Sequence, residues 1–191
     1  MAIQYQALAV PLVGDRRVSV DQYLGSIFDG SAKLQERMTQ EFRDCPDSKV
    51  IIVGYSQGAL AAHLNLYDGV NDDDRIVGVV MIADPSRVSN AQEEWWASAS
   101  FSGTQIERLV APDSAHKASE GSWTVLKTII GASGTSSLAP AVADKTIGIC
   151  HPRDPVCSAR PNVSMSEHEN YSSSELTAIG YRLAARILYG S

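Results

Sequence analysis

The feature that most constrains the fold of this chain is the turn GYSQG at residues 54–58, set between an apolar run and a small-residue helix. A G-x-S-x-G sequence after a strand and before a helix is typical of a cramped turn that exposes a serine hydroxyl, where glycines relieve crowding. The turn also aims the N-terminus of the helix at the site, so the Gln57 backbone N–H can stabilise an oxyanion. A purely structural turn is the alternative. We interpret Ser56 as a candidate nucleophile.

Strands and helices alternate along the chain, which predicts the fold class. The predicted strands are apolar throughout, as expected where helices cover both faces of a sheet. The pattern predicts an α/β fold, a three-layer α/β/α sandwich with a mainly parallel sheet, in a single domain over residues 1–191. The predicted elements are strands at residues 4–11, 50–53, 76–83 and 145–150, and helices at 21–44, at 59–67 and from a capping box at Ser172 and Glu175 to the C-terminus.

Composition excludes several classes of partner. The chain has 191 residues, a formal net charge of −6 and an isoelectric point near 5.1, so it lacks the basic surface that binds nucleic acid. The sequence contains no run of about 18 apolar residues, so it predicts no membrane span. The N-terminus has no charged start followed by an apolar stretch and a cleavage site, so we see no signal peptide in this chain.

Four histidines are candidates for the general base that a serine nucleophile needs. His168 follows the last predicted strand and precedes the C-terminal helix, which matches the order serine, acid, histidine. His63 lies on the helix after the turn and points away from it, so we interpret it as a packed or surface residue. His116 and His151 lie in polar stretches, where we expect exposed side chains. His168 is therefore the predicted base.

The acid that orients the base must lie between the serine and the histidine, near a strand end. Asp154 and Asp84 each follow a predicted strand, whereas Asp113 and Asp144 are less well placed. A loop aspartate is often only a solvated turn residue. Asp154, however, lies between two cysteines, and a disulfide there would hold its carboxylate against the imidazole. Asp154 is the predicted acid and Asp84 its competitor.

The three cysteines, Cys45, Cys150 and Cys157, leave three interpretations open. They are free thiols of a cytosolic protein, or Cys150 and Cys157 form a local disulfide of an exported one. A metal site is the third interpretation, but the spacing does not fit paired zinc ligands and no second pair follows.

Taken together, these residues resemble the cutinase family of serine esterases. The matching pieces are GYSQGA at residues 54–59, CHPRDPVC at 150–157, and a histidine fourteen positions after the aspartate of that loop. The run CPDSKVIIVGYSQGA at 45–59 is similar to the family's cysteine-led approach to the turn. The resemblance covers most of the chain from Gln4 onward and is far more specific than G-x-S-x-G alone.

The resemblance implies a fold of α/β-hydrolase type and an enzyme that needs no metal or organic cofactor. It implies secretion, a monomer, and a hydrophobic ester or polyester substrate, without binding of nucleic acid or integral membrane association. Trp95, Trp96 and Val163 are expected at the rim of the site or in the core. The site residues that it implies are Ser56, Asp154 and His168 as a catalytic triad, the Gln57 N–H as an oxyanion donor, and Cys150 with Cys157 as a disulfide.

The chain departs from the family at its N-terminus. Members carry a further N-terminal strand inside the sheet, followed by a loop that completes the oxyanion hole, and a cysteine that pairs with the one matching Cys45. This chain begins at what resembles their second strand. We therefore expect an N-terminally incomplete domain with a gap in its sheet and an orphan Cys45. Loss of one oxyanion donor typically costs about 10²–10³-fold in turnover.

The predicted function is that of a serine esterase that hydrolyses cutin-like polyesters, short-chain acylglycerols or other lipid esters through an acyl-enzyme. An esterase or acyltransferase of cell-envelope lipids would use the same triad. From a different class, an inactive hydrolase-fold protein that binds lipid or polysaccharide is the alternative, because the missing N-terminal element favours loss of activity.

Overall fold

A parallel sheet forms the centre of the computed structural model, which describes residues 2–8, 18–67, 73–89, 91–102, 105–129 and 137–190. The strands of the described residues are β1 (Val50–Tyr55), β2 (Ile76–Ile82), β3 (Glu94–Trp96), β4 (Ser98–Ser102), β5 (Gln105–Val110) and β6 (Thr146–Ile149). The helices are α1 (Val20–Asp44), α2 (Gln57–Tyr67), α3 (Ser114–Lys117), α4 (Ser122–Ile129), α5 (Pro140–Ala143), α6 (Met165–Glu169) and α7 (Ser173–Tyr189). Within these residues, four strands pair in parallel in the order β1-β2-β6-β3, and β4 pairs antiparallel with β5.

Helices pack on both faces of the parallel sheet, and β2 shows this most clearly. Val79 and Met81 lie in one hydrophobic cluster with residues of α1 and α2, among them Met38 and Leu66. Val80 and Ile82 lie in a second cluster with Ile179 and Leu183 of α7. Alternate side chains of a strand point to opposite faces, so each face buries its own apolar set. This arrangement confirms the predicted three-layer fold with a mainly parallel sheet.

Local signals at the helix ends agree with the predicted helices. At the start of α7, the Ser172 side chain accepts from the Glu175 N–H while the Glu175 side chain accepts from the Ser172 N–H, which confirms the predicted capping box. The same reciprocal pair at Ser19 and Gln22 begins α1. Gly30, in the middle of α1, gives room to the ring of Tyr5, which would lie 3.0 Å from an added Cβ.

The carboxyl ends of the central strands meet at one edge of the sheet. Tyr55 pairs with Ile82, and Ile82 pairs with Ile149, so β1, β2 and β6 end at the same level. In open α/β sheets this edge is where ligands bind. The segments that leave it begin at Ser56 and Cys150, and they carry the residues singled out by the sequence.

The N-terminal segment differs from its prediction. Residues 4–8 of the predicted strand form no strand, and residues 9–11 lie outside the described residues. The segment packs on helices instead: Tyr5 contacts Gly30 of α1, and the Leu8 N–H donates to Gln57 Oε1 at 3.0 Å. A strand needs a neighbouring strand to accept its backbone hydrogen bonds, whereas a cavity of about 570 Å³ lies between this segment and β1.

The outer edge of β1 is open among the described residues. Its strand partner there is β2, and the side chains of Ile51, Val53 and Tyr55 are 48%, 64% and 44% exposed. The expectation that this strand is covered on both faces is therefore wrong. An apolar groove of about 520 Å³ separates Ile51 and Val53 from Leu183 and Leu188 of α7.

The polar stretch at residues 84–119 contains three strands that the sequence did not predict. β3 is only three residues long and pairs with β6, and the ring of Trp95 lies over Gly148, where an added Cβ would clash at 2.3 Å. Trp95 and Trp96 pack against the core clusters, so the core interpretation holds for both. No helix in the described part of the chain is long and apolar enough to cross a membrane.

Candidate active site

Ser56 occupies the turn between β1 and α2 in a strained backbone conformation. Its φ is 53°, in the left-handed region that few residues other than glycine adopt. Gly54 is required there, because an added Cβ would lie 2.5 Å from the Cα of Ala59. Gly58 is not crowded in this way, since the nearest atom to an added Cβ is 3.7 Å away. The predicted relief of crowding thus holds at Gly54 and is wrong at Gly58.

His168 lies within hydrogen-bonding distance of Ser56. Its Nε2 is 3.0 Å from Ser56 Oγ, although the two residues are 112 positions apart in the sequence. Tyr55 holds both the backbone and the ring of His168, because its hydroxyl donates to the His168 carbonyl oxygen at 2.6 Å and its ring stacks on the imidazole with the centroids 5.2 Å apart. His168 is 7% exposed, on the short helix α6 rather than in an open loop. The structure thus brings the predicted base to the predicted nucleophile.

Asp154 completes the group on the other side of the imidazole. His168 Nδ1 lies 3.1 Å from Asp154 Oδ1 and 3.0 Å from Oδ2. An ionised carboxylate only accepts hydrogen bonds, so Nδ1 carries the proton and Nε2 is free to accept from the Ser56 hydroxyl. Asp154 is fully buried. The geometry is that required of a nucleophile, base and orienting acid.

The carboxylate of Asp154 is buried yet well supplied with donors. Its Oδ1 accepts from the Val156 N–H at 2.7 Å, and its Oδ2 accepts from the Tyr171 hydroxyl at 2.7 Å. Burial by itself raises the pKa of Asp154, but the hydrogen bond and charge of His168, followed by the bonds from Tyr171 and Val156, hold that pKa below its usual value. Asp154 therefore stays ionised near neutral pH.

A disulfide joins Cys150 and Cys157 and closes the loop that carries Asp154. This finding confirms the disulfide among the three interpretations of the cysteines. Cys45 is a free, exposed cysteine. Among the described residues, no three histidine, cysteine or acidic side chains are grouped so that they can hold a metal ion.

Asp84, the competing acid, pairs with another histidine. His63 Nδ1 lies 2.6 Å from Asp84 Oδ2, and the Ser86 N–H donates to Asp84 Oδ1 at 2.7 Å. Both side chains are buried, His63 at 4% and Asp84 at 0% exposure. The interpretation of His63 as a packed residue holds, and Asp84 supports the loop after β2 rather than His168.

His116 was expected at the surface, and this expectation is wrong because its side chain is 1% exposed. Its Nε2 lies 2.9 Å from the Cys150 carbonyl oxygen, next to the buried Arg87, whose Nε donates to the Cys157 carbonyl oxygen at 2.8 Å. Burial, and then the charge of Arg87, lower the pKa of His116 to about 4. Both side chains support the ends of the disulfide loop, which explains why a polar stretch turns inward.

His151 was also expected to be exposed, and this expectation is wrong because the residue is buried, with only 8% exposed. Its ring stacks on Tyr171 with the centroids 4.1 Å apart, and its Nε2 lies 2.8 Å from Glu175 Oε1. Its Nδ1 lies 3.0 Å from the Glu167 carbonyl oxygen. These contacts connect the disulfide loop to α6 and α7. The sequence of that loop has no apolar pattern from which they could have been predicted.

Tyr55 and Tyr171 are the site residues that sequence reasoning missed. Tyr55 is the second residue of the GYSQG turn, and Tyr171 lies three residues after His168. Their nearness to predicted site residues was the available signal. Neither tyrosine's partner can be inferred from spacing, because the contacts cross between separate loops.

Gln57 begins α2, so its backbone N–H has no acceptor within the helix. Its side chain is 5% exposed, and Oε1 accepts from the Leu8 N–H at 3.0 Å and from Ser26 Oγ at 3.1 Å. The buried Nε2 has no hydrogen-bond partner among the described residues. The side chain of Gln57 thus anchors the N-terminal segment, while the helix end leaves its N–H available.

Comparisons with known proteins agree with this geometry. The family model for cutinase matches residues 2–185. The carboxylesterase Culp6 homolog of Corynebacterium glutamicum is 28% identical over 140 residues, which are 71% of this chain and 43% of that protein. Carboxylesterase Culp1 of Mycobacterium tuberculosis is 23% identical over 187 residues, 92% of this chain and 68% of that protein. The chain thus matches less than half the length of the Corynebacterium relative.

Solved structures show the same fold. A cutinase-like protein from Cryptococcus sp. superimposes with a TM-score of 0.63 at 22% identity, over 91% of this chain and 77% of that one. The catalytic core domain of acetyl xylan esterase from Trichoderma reesei superimposes with a TM-score of 0.53 at 18% identity, over 84% and 73%. At such identities the likeness shows the fold alone, and it confirms the predicted α/β-hydrolase type. Because the family model matches almost the whole chain, this protein belongs to the cutinase family.

Proposed function

We propose that this protein hydrolyses carboxylic esters with Ser56 as nucleophile, His168 as general base and Asp154 as the acid that orients the base. The observation that carries the proposal is the continuous path of hydrogen bonds from the buried carboxylate through the imidazole to the hydroxyl, with 3.0 Å between His168 Nε2 and Ser56 Oγ. A serine hydroxyl becomes nucleophilic only when a base takes its proton.

In the first half of the reaction, Ser56 Oγ attacks the ester carbonyl carbon while His168 Nε2 takes the hydroxyl proton. Asp154 stabilises the imidazolium that forms and keeps Nδ1 protonated. The Gln57 N–H donates to the oxyanion, at the positive end of α2. As the tetrahedral intermediate collapses, the imidazolium gives its proton to the leaving alcohol, and the acyl group stays on Ser56.

The second half of the reaction releases the acid. His168 takes a proton from a water molecule, whose oxygen attacks the acyl carbon, and then returns the proton to Ser56 Oγ as the ester bond breaks. The chain's own side chains carry out every proton transfer. The proposal therefore needs neither a metal nor an organic cofactor.

The proposed substrates are hydrophobic carboxylic esters, such as polyesters, short-chain acylglycerols and other lipid esters. Support comes from family membership and from relatives whose names describe carboxylesterases. The Cys150–Cys157 disulfide supports secretion, since disulfides persist in oxidising compartments. Hydrolysis rates for a series of p-nitrophenyl esters of increasing acyl length would define the preferred length of the acyl chain.

Hydrolysis of p-nitrophenyl butyrate by the wild type and Ser56→Ala tests the proposal. We expect the variant to lose activity by several orders of magnitude, while Ser114→Ala, an exposed serine of α3, keeps it. A fluorophosphonate should label the wild type and Ser114→Ala but not Ser56→Ala. Equal hydrolysis by wild type and Ser56→Ala would contradict the assignment.

A non-catalytic protein that binds lipid or polysaccharide is the second candidate. The open edge of β1 favours it, because that edge lies where the resemblance expects the strand whose loop completes the oxyanion hole. A folded wild type that neither turns over the ester nor reacts with the fluorophosphonate would support this candidate, whereas Ser56-dependent labelling would exclude it.

A further inference from the structure

Tyr171 lies between α6 and α7, and its side chain reaches the Asp154 carboxylate. Its hydroxyl oxygen is 2.7 Å from Asp154 Oδ2. Asp154 Oδ1 receives the Val156 N–H, also at 2.7 Å. Each carboxylate oxygen therefore accepts from one donor of its own besides the shared imidazole N–H. These two hydrogen bonds fix the orientation of the carboxylate plane.

The direction of the Tyr171 hydrogen bond follows from its neighbours. The His151 backbone N–H lies 3.1 Å from the Tyr171 hydroxyl oxygen, and an amide N–H can only donate. The hydroxyl therefore accepts from His151 and gives its own proton to Asp154. Burial, and then the charge of Asp154, raise the pKa of Tyr171, so the hydroxyl remains a donor at neutral pH. Successive hydrogen bonds of this kind strengthen one another.

The ring of Tyr171 is fixed as firmly as its hydroxyl. It stacks on His151 at 4.1 Å with an angle of 19° between the planes, and His151 Nε2 lies 2.8 Å from Glu175 Oε1. Glu175 is itself held by the capping box at the start of α7. The orientation of the Asp154 carboxylate is thus connected to α7 through well-packed side chains.

We propose that Tyr171 is a positioning residue of the site, whose hydroxyl orients Asp154 and keeps its charge directed at the His168 Nδ1–H. The inference rests on the proposed function, because its effect on turnover requires His168 to act as a base. Tyr171 does not contact Ser56 in this arrangement. Its loss therefore lowers turnover rather than the binding of the ester.

Several charged or titratable groups surround the pair and bear on its pH dependence. His168 contacts Asp154 directly, and the charge of Asp154 acts on Tyr55 and Arg87. On the far side of Tyr171 lie His151 and its partner Glu175, and Glu167 lies next to His151. The Tyr171→Phe change alters none of these groups and keeps the ring that stacks on His151.

The test compares the wild type, Tyr171→Phe and the control Tyr189→Phe, an exposed tyrosine at the end of α7. We expect Tyr171→Phe to lower kcat by roughly tenfold or more with KM unchanged, the range of a hydrogen bond to a charged group. Without this hydroxyl the Asp154 carboxylate loses one of the two donors that fix its plane, so its charge is less well directed at the Nδ1–H and stabilises the imidazolium less. The acid limb of the kcat/KM profile should therefore move to lower pH, whereas Tyr189→Phe should match the wild type.

An unchanged acid limb together with a lower melting temperature would overturn the inference, because Tyr171 would then be only structural. A second measurement needs no activity: the NMR signal of the proton between His168 and Asp154 should move upfield in Tyr171→Phe, because the hydrogen bond is weaker. A moved signal without ester hydrolysis would contradict the proposed function and leave the positioning role standing. Should Tyr171→Phe not fold, the wild type still tests the inference by NMR. A Tyr171 hydroxyl proton that exchanges with water too fast to be observed at neutral pH would contradict the inference.

Discussion

The Tyr55 hydroxyl donates to the carbonyl oxygen of His168 at 2.6 Å, and the two rings stack with 20° between their planes. One side chain thus fixes both the backbone and the imidazole of the proposed base. Tyr55 ends β1 immediately before Ser56. The turn that presents the nucleophile therefore also sets the position of the base, across 113 residues of sequence.

Replacing Tyr55 by phenylalanine removes this hydrogen bond and keeps the stacked ring. We expect kcat for p-nitrophenyl butyrate to fall by roughly three- to tenfold, because a lost hydrogen bond of about 1 kcal/mol loosens His168. Tyr189→Phe, at a tyrosine that is 80% exposed, is the matched control and should behave as the wild type. Equal kcat values for Tyr55→Phe and the wild type would show that stacking alone positions the base.

The disulfide should stabilise the fold and the site together. Cys150→Ala with Cys157→Ala is expected to lower the free energy of unfolding by about 2–3 kcal/mol, the chain-entropy value for so short a loop. Activity should fall as well, because Asp154 lies inside the loop. Urea unfolding and ester hydrolysis measure the two effects. Cys45→Ser, at the exposed free cysteine, should change neither, and a fully active, equally stable double variant would contradict the prediction.

His116 should make stability depend on pH. Its pKa in the folded protein is about 4, and an unfolded histidine has a pKa of about 6.5. The unfolded state therefore binds a proton first, so stability is complete above about pH 6.5 and is lost as pH falls toward 4. The loss amounts to about 3 kcal/mol. His116→Gln, whose amide can still donate to the Cys150 carbonyl, should flatten this slope in urea unfolding measured at several pH values.

Gly54 should tolerate no side chain. An added Cβ would lie 2.5 Å from the Ala59 Cα, so Gly54→Ala forces β1 and α2 apart and should cost about 3 kcal/mol or more. Gly25→Ala is the control, because nothing lies within 4 Å of the added Cβ in α1. That change should raise the free energy of unfolding by about 0.5–1 kcal/mol through helix propensity. Thermal unfolding of both variants checks the contrast.

The open edge of β1 allows a test of the proposed incomplete domain. We propose that an N-terminal strand ahead of residue 1 would pair with this edge and cover Val53, which is 64% exposed. In the present chain, Val53→Lys should change stability by no more than about 0.5 kcal/mol. In a chain extended by such a strand it should cost about 2 kcal/mol or more, since a charge would be buried.

The control for that experiment is Leu188→Lys, which is 71% exposed on α7. It should be neutral in both chains unless the added strand also reaches α7. If Val53→Lys is neutral in the extended chain, the strand does not pair with β1.

Much of the architecture was encoded in short stretches. The apolar run before Ser56, the helical stripe of α1 and the Ser172–Glu175 capping box depend on near neighbours in the chain, so local physics suffices to predict them. The candidate triad followed from the G-x-S-x-G turn and from the order serine, acid, histidine, and the resemblance implied the same three residues together with the disulfide. The strand predicted at residues 4–11 is wrong over residues 4–8, because a strand requires a partner that the local pattern cannot supply.

Tertiary structure alone decided how the polar residues are used. The side chains of His116 and His151 turn inward because each finds a hydrogen-bond partner there. The Cys150 carbonyl oxygen, 34 positions from His116, and the Glu175 carboxylate, 24 positions from His151, are these partners. Tyr171 reaches Asp154 through the same buried contacts. A polar side chain can be buried only where its hydrogen bonds are met. Sequence therefore determined the turn, the three long helices α1, α2 and α7 and the candidate triad, whereas the packing of separate loops decided which side chains support the triad.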